Sequence, residues 1–197
     1  MKTFLFICAA SLATISNLAV AQTEGPFGFI IGTSIDAYDC EDSGSSGLYN
    51  CRANNPHPAF EAYGVKASPS HGICWIKAVG IDISDSGRGS STKSKTDEIA
   101  AQIASAYGDW TGTYDFLSVG SIWDESDEWL MGIVQKDRYY AFTWGVDDGF
   151  QPQKNITSIY VASGATRSNT GYVGAEFGGF NKAECEAEIA AEQSSVF

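Results

Sequence analysis

An α+β fold, with a single antiparallel sheet of about six to seven strands and two main helices packed on one face, is the architecture this sequence predicts. Three observations lead there. Short segments alternating apolar with polar residues follow one another beyond residue 60, and turn-length connections join most of them. Only two stretches keep a helical spacing of apolar residues. Parallel strands need crossovers of a dozen or more residues, and hairpin-length links outnumber such crossovers here.

Taken in order, Phe27-Gly28-Phe29-Ile30-Ile31-Gly32-Thr33-Ser34 reads as a short apolar strand, after which Ser34 is placed to cap one helical turn through Tyr38. Residues 41–58 are rich in Gly, Ser, Asn and Pro and read as a long loop. Tyr63, Val65 and Ala67 alternate with Gly64, Lys66 and Ser68, and Pro69-Ser70-His71-Gly72 turns the chain into a return strand over 73–81. That strand is apolar on both sides, as a central strand is. After a polar loop, Ser94 with Asp97 resembles a helix start; Ile99, Ile103, Ala106 and Tyr107 then recur at helical spacing up to Gly108. Strands are expected over 129–135, 138–144, 157–163 and 171–178, the first two joined through Lys136-Asp137. Asn181, with Glu184 three residues on, caps a last helix that carries Cys185 and Ile189 on one face.

The chain opens like a secretory signal peptide. Lys2 supplies the positive end, residues 4–15 an apolar run, and Leu18-Ala19-Val20-Ala21 the small residues of a cleavage site before Gln22. Ser11, Thr14, Ser16 and Asn17 interrupt the run short of the ~20 residues that a membrane span needs. The expected organisation is therefore a signal peptide over 1–21 and one domain over 22–197, with a secreted or periplasmic location and no membrane span. The formal net charge of −12 disfavours nucleic acid and anionic lipid as partners, and points to a basic protein as the partner class.

Cleavage removes Cys8 and leaves Cys40, Cys51, Cys74 and Cys185. An even number in an oxidising compartment implies two disulfides. Cys40 and Cys51 bracket a segment that cannot pack by itself and are paired, which leaves Cys74 for Cys185. No C-x-x-C pair occurs and the chain has two His, so the cysteines are structural, with no metal and no cofactor expected.

The most unusual segment is Trp123-Asp124-Glu125-Ser126-Asp127-Glu128-Trp129, four carboxylates between two Trp. As a site, it is a docking patch in which the rings anchor and the acids steer a basic partner; an aromatic platform for a sugar ring is also chemically possible. As structure, it is a solvated turn whose Trp side chains are core anchors. Asp82, Asp85 and Ser86-Gly87, and likewise Asp39, Glu41, Asp42 and Ser43-Gly44, are fragments of an oxygen-ligand loop. Neither places Glu at the twelfth position, where Lys93 and Asn50 fall. No G-x-S-x-G occurs, and neither His57 nor His71 has a partner in sequence for nucleophilic chemistry.

Phe27 to Asp36, through Gly28, Gly32, Thr33 and Ser34, resembles the opening of the β-lactamase-inhibitor-protein-like and small outer-membrane lipoprotein A-like exported domains. Gly72 to Ala78, Gly-Ile-Cys-Trp-Ile-Lys-Ala, resembles a strand of uncharacterised exported bacterial proteins. These resemblances imply protein binding rather than catalysis. The functional expectation is an exported, non-catalytic binding protein, inhibitor-like toward a basic protein. The alternatives are a cell-wall or sugar-directed hydrolase using Asp124, Glu125, Asp127 or Glu128 as paired carboxylates, and a structural envelope protein.

Overall fold

The computed structural model describes residues 25–45 and 47–194. The signal peptide expected over 1–21 lies outside the described residues. The fold is α+β around one large antiparallel sheet. Its strands are β1 (Cys40–Ser45), β2 (Leu48–Cys51), β3 (Phe60–Ser68), β4 (Gly72–Gly80), β5 (Ile83–Ser84), β6 (Gly112–Leu117), β7 (Arg138–Gly145), β8 (Ile156–Arg167) and β9 (Thr170–Gly179). The helices are α1 (Ser90–Tyr107), α2 (Trp129–Val134) and α3 (Lys182–Ser194). Spatial order is β1-β2-β3-β4-β9-β8-β7-β6, with the two-residue β5 paired to the end of β9. Two four-strand meanders thus meet where β4 pairs β9.

The sheet is larger than expected because several short, polar strands carry little periodic signal. The segment expected to be a loop is the β1–β2 hairpin, in which Cys40 lies directly opposite Cys51. Their disulfide closes the ends of that hairpin. Strand β6 also went unread, since four of its six residues are exposed on both sides. Conversely, residues 27–34 form no strand. Pro26–Gly28 is a 3-10 turn with Phe27 in the left-handed region, and the chain continues irregularly to a second 3-10 turn at Ile35–Ala37. There the Ser34 hydroxyl accepts the Asp36 N–H, the cap expected of it. Residues 129–134 are helical, not extended. Trp129, Leu130 and Ile133 share one face of α2 and form a small core of their own, which a strand's alternation would have split.

The main core lies on one face of the sheet. Tyr63, Val65, Ile76, Ala78, Val173, Ala175, Phe177, Ile159 and Val161 pack there beneath Ile99 and Ala100 of α1 and beneath Phe29 and Ile31 of the N-terminal segment. Helix α1 begins at Ser90, four residues before the expected start at Ser94. Its preceding residue, Gly89, takes φ +67°, and a side chain there would run into the Trp129 ring.

Helix α3 departs from the expectation that both main helices share a face. A bulge in β4 sets Ile73 against Ala67 and Trp75 against Lys66, so Cys74 turns away from the main core. There it forms a disulfide with Cys185 and packs with Ile189 in a separate buried cluster. Lys66, alternating with core-facing Val65 and Ala67, meets Glu186 of α3 at 3.0 Å. Asn181, just before α3, donates to the carbonyls of His71 and Ile73 and so fixes the helix start to the β3–β4 turn. The second helix therefore covers the opposite face, at the β3–β4 end alone. Among the described residues, no helix is long and apolar enough to cross a membrane.

Candidate functional site

Period-two alternation makes a prediction about the face that α1 does not cover: residues alternating with core positions line it. On β9, Tyr172, Gly174, Glu176 and Gly178 alternate with buried Val173, Ala175 and Phe177. On β8, Ser158, Tyr160 and Ala162 alternate with buried Ile159 and Val161. Cross-strand pairing then sets the rows. Lys77, Glu176, Tyr160, Thr143 and Gly112 are successive partners across five strands. Two residues along, the partners are Val79, Gly174, Ala162, Ala141 and Tyr114. A further step brings the Gly164–Tyr172 and Tyr139–Phe116 pairs.

The middle row is small at Gly174, Ala162 and Ala141, while Tyr160 stands to one side and Tyr172 and Tyr139 to the other. A trough crossing the strands results, ~13 Å from wall row to wall row at two residues per row. Tyr139, Tyr160, Ala162, Gly164 and Tyr172 line a concavity of about 300 Å3, which reaches the strand ends beside α2, where Ile133, Val134, Lys136 and Arg138 border it. The ring of Tyr172 lies over Gly164, where any Cβ would collide with it. At the β6 end, Phe116 and Tyr139 stack with centroids 4.9 Å apart and planes 19° from parallel. Tyr114, Phe116, Tyr139 and Tyr160 are 36–47% exposed, an amount of aromatic surface that packing among the described residues leaves uncovered.

Charge is matched on the β4–β9 side of this face, whereas Arg138, at the α2 end of the concavity, has no ion-pair partner among the described residues. Lys77 and Glu176 pair at 2.9 Å, and Glu186 takes both Lys66 and Lys182. Burial raises the Tyr160 phenol above its ordinary value and the nearby Glu176 carboxylate adds to the effect, so this hydroxyl remains a hydrogen-bond donor throughout the neutral range. A second hollow, of about 260 Å3, lies between Trp75, Lys182, Ser158, Gly178 and Tyr160, beside the first turn of α3.

The acidic segment is arranged differently. Trp129 is 5% exposed, with its ring against Tyr140 and the Lys93 ammonium 5.2 Å above it. Trp123 is half-buried, and Asp124, Glu125 and Asp127 are exposed on the turn leading into α2. Glu128 is partly covered and closes the 3-10 turn Ser126–Glu128. The two Trp rings are thus separated by environment rather than joined as one platform. Among the described residues, no cation pairs with the four carboxylates, and no group of three or more His, Cys, Asp or Glu could hold a metal ion. Of the loop acids, Asp85 works as a helix cap: its carboxylate accepts the Thr92 N–H and hydroxyl. His71 lies 3.9 Å from Glu188, and His57 bonds Gln102.

No family model, curated protein or solved structure matches this chain.

Sequence reasoning missed the uncovered face because it rests on cross-strand neighbours. Tyr139 and Phe116 are 23 positions apart, and only the β6–β7 register stacks them. The available signal was the alternation of Tyr160 with Ile159 and Val161, which marks an outward row without saying what lies beside it.

Proposed function

We propose that this is an exported, non-catalytic binding protein that holds an extended, uncharged glycan chain in the trough across β9, β8 and β7. The observation that carries the reading is the Gly174–Ala162 floor between Tyr160 and Tyr172, a wall that Tyr139 extends onto β7. Pyranose rings offer flat C–H faces to aromatic rings and hydroxyls to polar neighbours, and tyrosine supplies both contacts from one side chain. The matched Lys77–Glu176 pair favours a neutral ligand, because a charged one would have to break or outbid that pair. A trough one residue row wide suits a single chain better than a globular surface, which needs ~800 Å2 on each partner. The signal-peptide pattern and the two disulfides support export. The test is retardation in native gels cast with uncharged soluble glycans (hydroxyethylcellulose, laminarin, galactomannan). Wild type should be slowed by at least one of them, and Tyr139→Ala/Tyr160→Ala should migrate freely.

A second reading keeps a basic protein as the partner and the acidic turn as the contact. The exposure of Asp124, Glu125 and Asp127, with no ion-pair partner among the described residues, favours it. In that reading the four acids act by steering a partner of opposite charge, so its binding is strongly salt-sensitive. The hydrolase alternative requires two acids converging on a cleft, and exposure of three of the four on one turn gives it no support.

A further inference from the structure

On the opposite side of the sheet, between the N-terminal turn and α1, lies a recess of about 270 Å3. Its walls are Phe27, Phe60, Ile99, Ile103, Tyr107 and Phe177, and its polar groups are His57 and Gln102. The rings meet edge to face or tilted: Phe27 is 5.4 Å from Phe60 and 5.7 Å from Phe177, and Tyr107 is 6.0 Å from Phe177. We propose that this recess binds a small neutral molecule with an aromatic body of one or two rings and a single hydrogen-bonding group.

Four features carry the proposal. The lining is almost wholly apolar, so a charged ligand would lose its hydration without compensation. The volume lies just below the ~300 Å3 at which drug-sized sites begin, which limits the ligand to a small ring system. Phe27 holds its ring there from a left-handed backbone, φ 57° and ψ 19°, a conformation that is unfavourable for a residue with a Cβ. Strain of this kind, at the wall of a cavity, is characteristic of binding sites.

The polar pair completes the site. The Ala59 N–H donates to Nδ1 of His57, which puts the imidazole proton on Nε2, 2.9 Å from Oε1 of Gln102. The Gln102 amide nitrogen donates to Glu98. Among the described residues, one lone pair and one N–H of this exposed amide take no other partner, and the bonds to His57 and Glu98 hold the group at the rim of the recess. They supply one hydrogen-bonding position at one end of an apolar recess. Buried Tyr107 carries a phenol pushed up to about 12 by burial alone, so this wall of the recess carries no charge at neutral pH.

The test uses the secreted protein with 2-naphthol and naphthalene as probes, followed by calorimetry and probe fluorescence. Wild type should bind 2-naphthol saturably, one per chain, and more tightly than naphthalene. Ala106→Trp, at an exposed position on the α1 side of the recess, should weaken 2-naphthol about tenfold or more with the helix content unchanged; Ala106→Leu serves if the larger side chain disturbs folding. Gln102→Leu should erase the preference for 2-naphthol. Absence of saturable 2-naphthol binding by wild type, or equal affinity in the folded Ala106 variant, overturns the proposal.

Discussion

The carboxylate of Asp85 accepts both the backbone N–H and the hydroxyl of Thr92, at 2.8 and 2.9 Å, from five residues before α1 begins. Gly89 immediately precedes the helix and has no side chain to cap with, so Asp85 reaches across the turn to satisfy donors that would otherwise be orphaned. Asp85→Ala should cost about 1 kcal/mol in urea unfolding at neutral pH. Burial alone would raise the Asp85 carboxyl, but hydrogen bonds from Thr92, Ser86 and Ser91 outweigh it and hold the group below the usual carboxylate range. Its stabilisation is therefore complete above the unfolded-state value of ~4 and disappears as pH falls through the lower folded-state value. Wild type and variant should converge in stability near pH 2.

The two disulfides should differ in worth. Cys74–Cys185 joins residues 111 apart and Cys40–Cys51 residues 11 apart. Chain entropy gives about 3 kcal/mol for short loops and about 4–5 for long ones. Cys74→Ala/Cys185→Ala also empties part of the buried cluster with Ile189. Equilibrium unfolding should show this pair to be the more destabilising by about 1–2 kcal/mol or more.

Trp129 and its acidic neighbours should separate cleanly. Trp129→Ala removes a buried ring from the α2 core and should cost about 3–5 kcal/mol. Asp124→Lys/Asp127→Lys, at exposed positions, should stay within about 0.5 kcal/mol of wild type. Thermal denaturation of both variants checks the contrast.

Glycan binding should be flat between pH 6 and 9. The raised Tyr160 phenol keeps its proton beyond the ordinary tyrosine value of ~10, so no donor on that wall is lost in this interval. Retardation measured across the range should show no titration.

Much of the architecture was legible where periodicity is strong. Val65 and Ala67, Ile99 and Ile103, and Cys185 with Ile189 each mark a buried face, and both cysteine pairings follow from compartment and spacing. The polar strands β1 and β2 escaped notice because none of their residues is buried and no alternation reveals them. Residues 129–134 misled because an apolar hexamer is equally consistent with a strand or a helical turn until its partners are known. The trough was invisible for a different reason. Gly174 and Ala162 are ordinary small residues in sequence and become a floor only through the β9–β8 register.

Backbone amide shifts of the folded protein, followed as a retarding glycan is titrated in, report which surface the glycan occupies. Perturbations should concentrate at Tyr139, Tyr160, Ala162, Tyr172 and Gly174, with α1 and the 123–129 turn undisturbed. Shifts clustered on the 123–129 turn instead, or none on β7, β8 and β9, would contradict glycan binding in the trough.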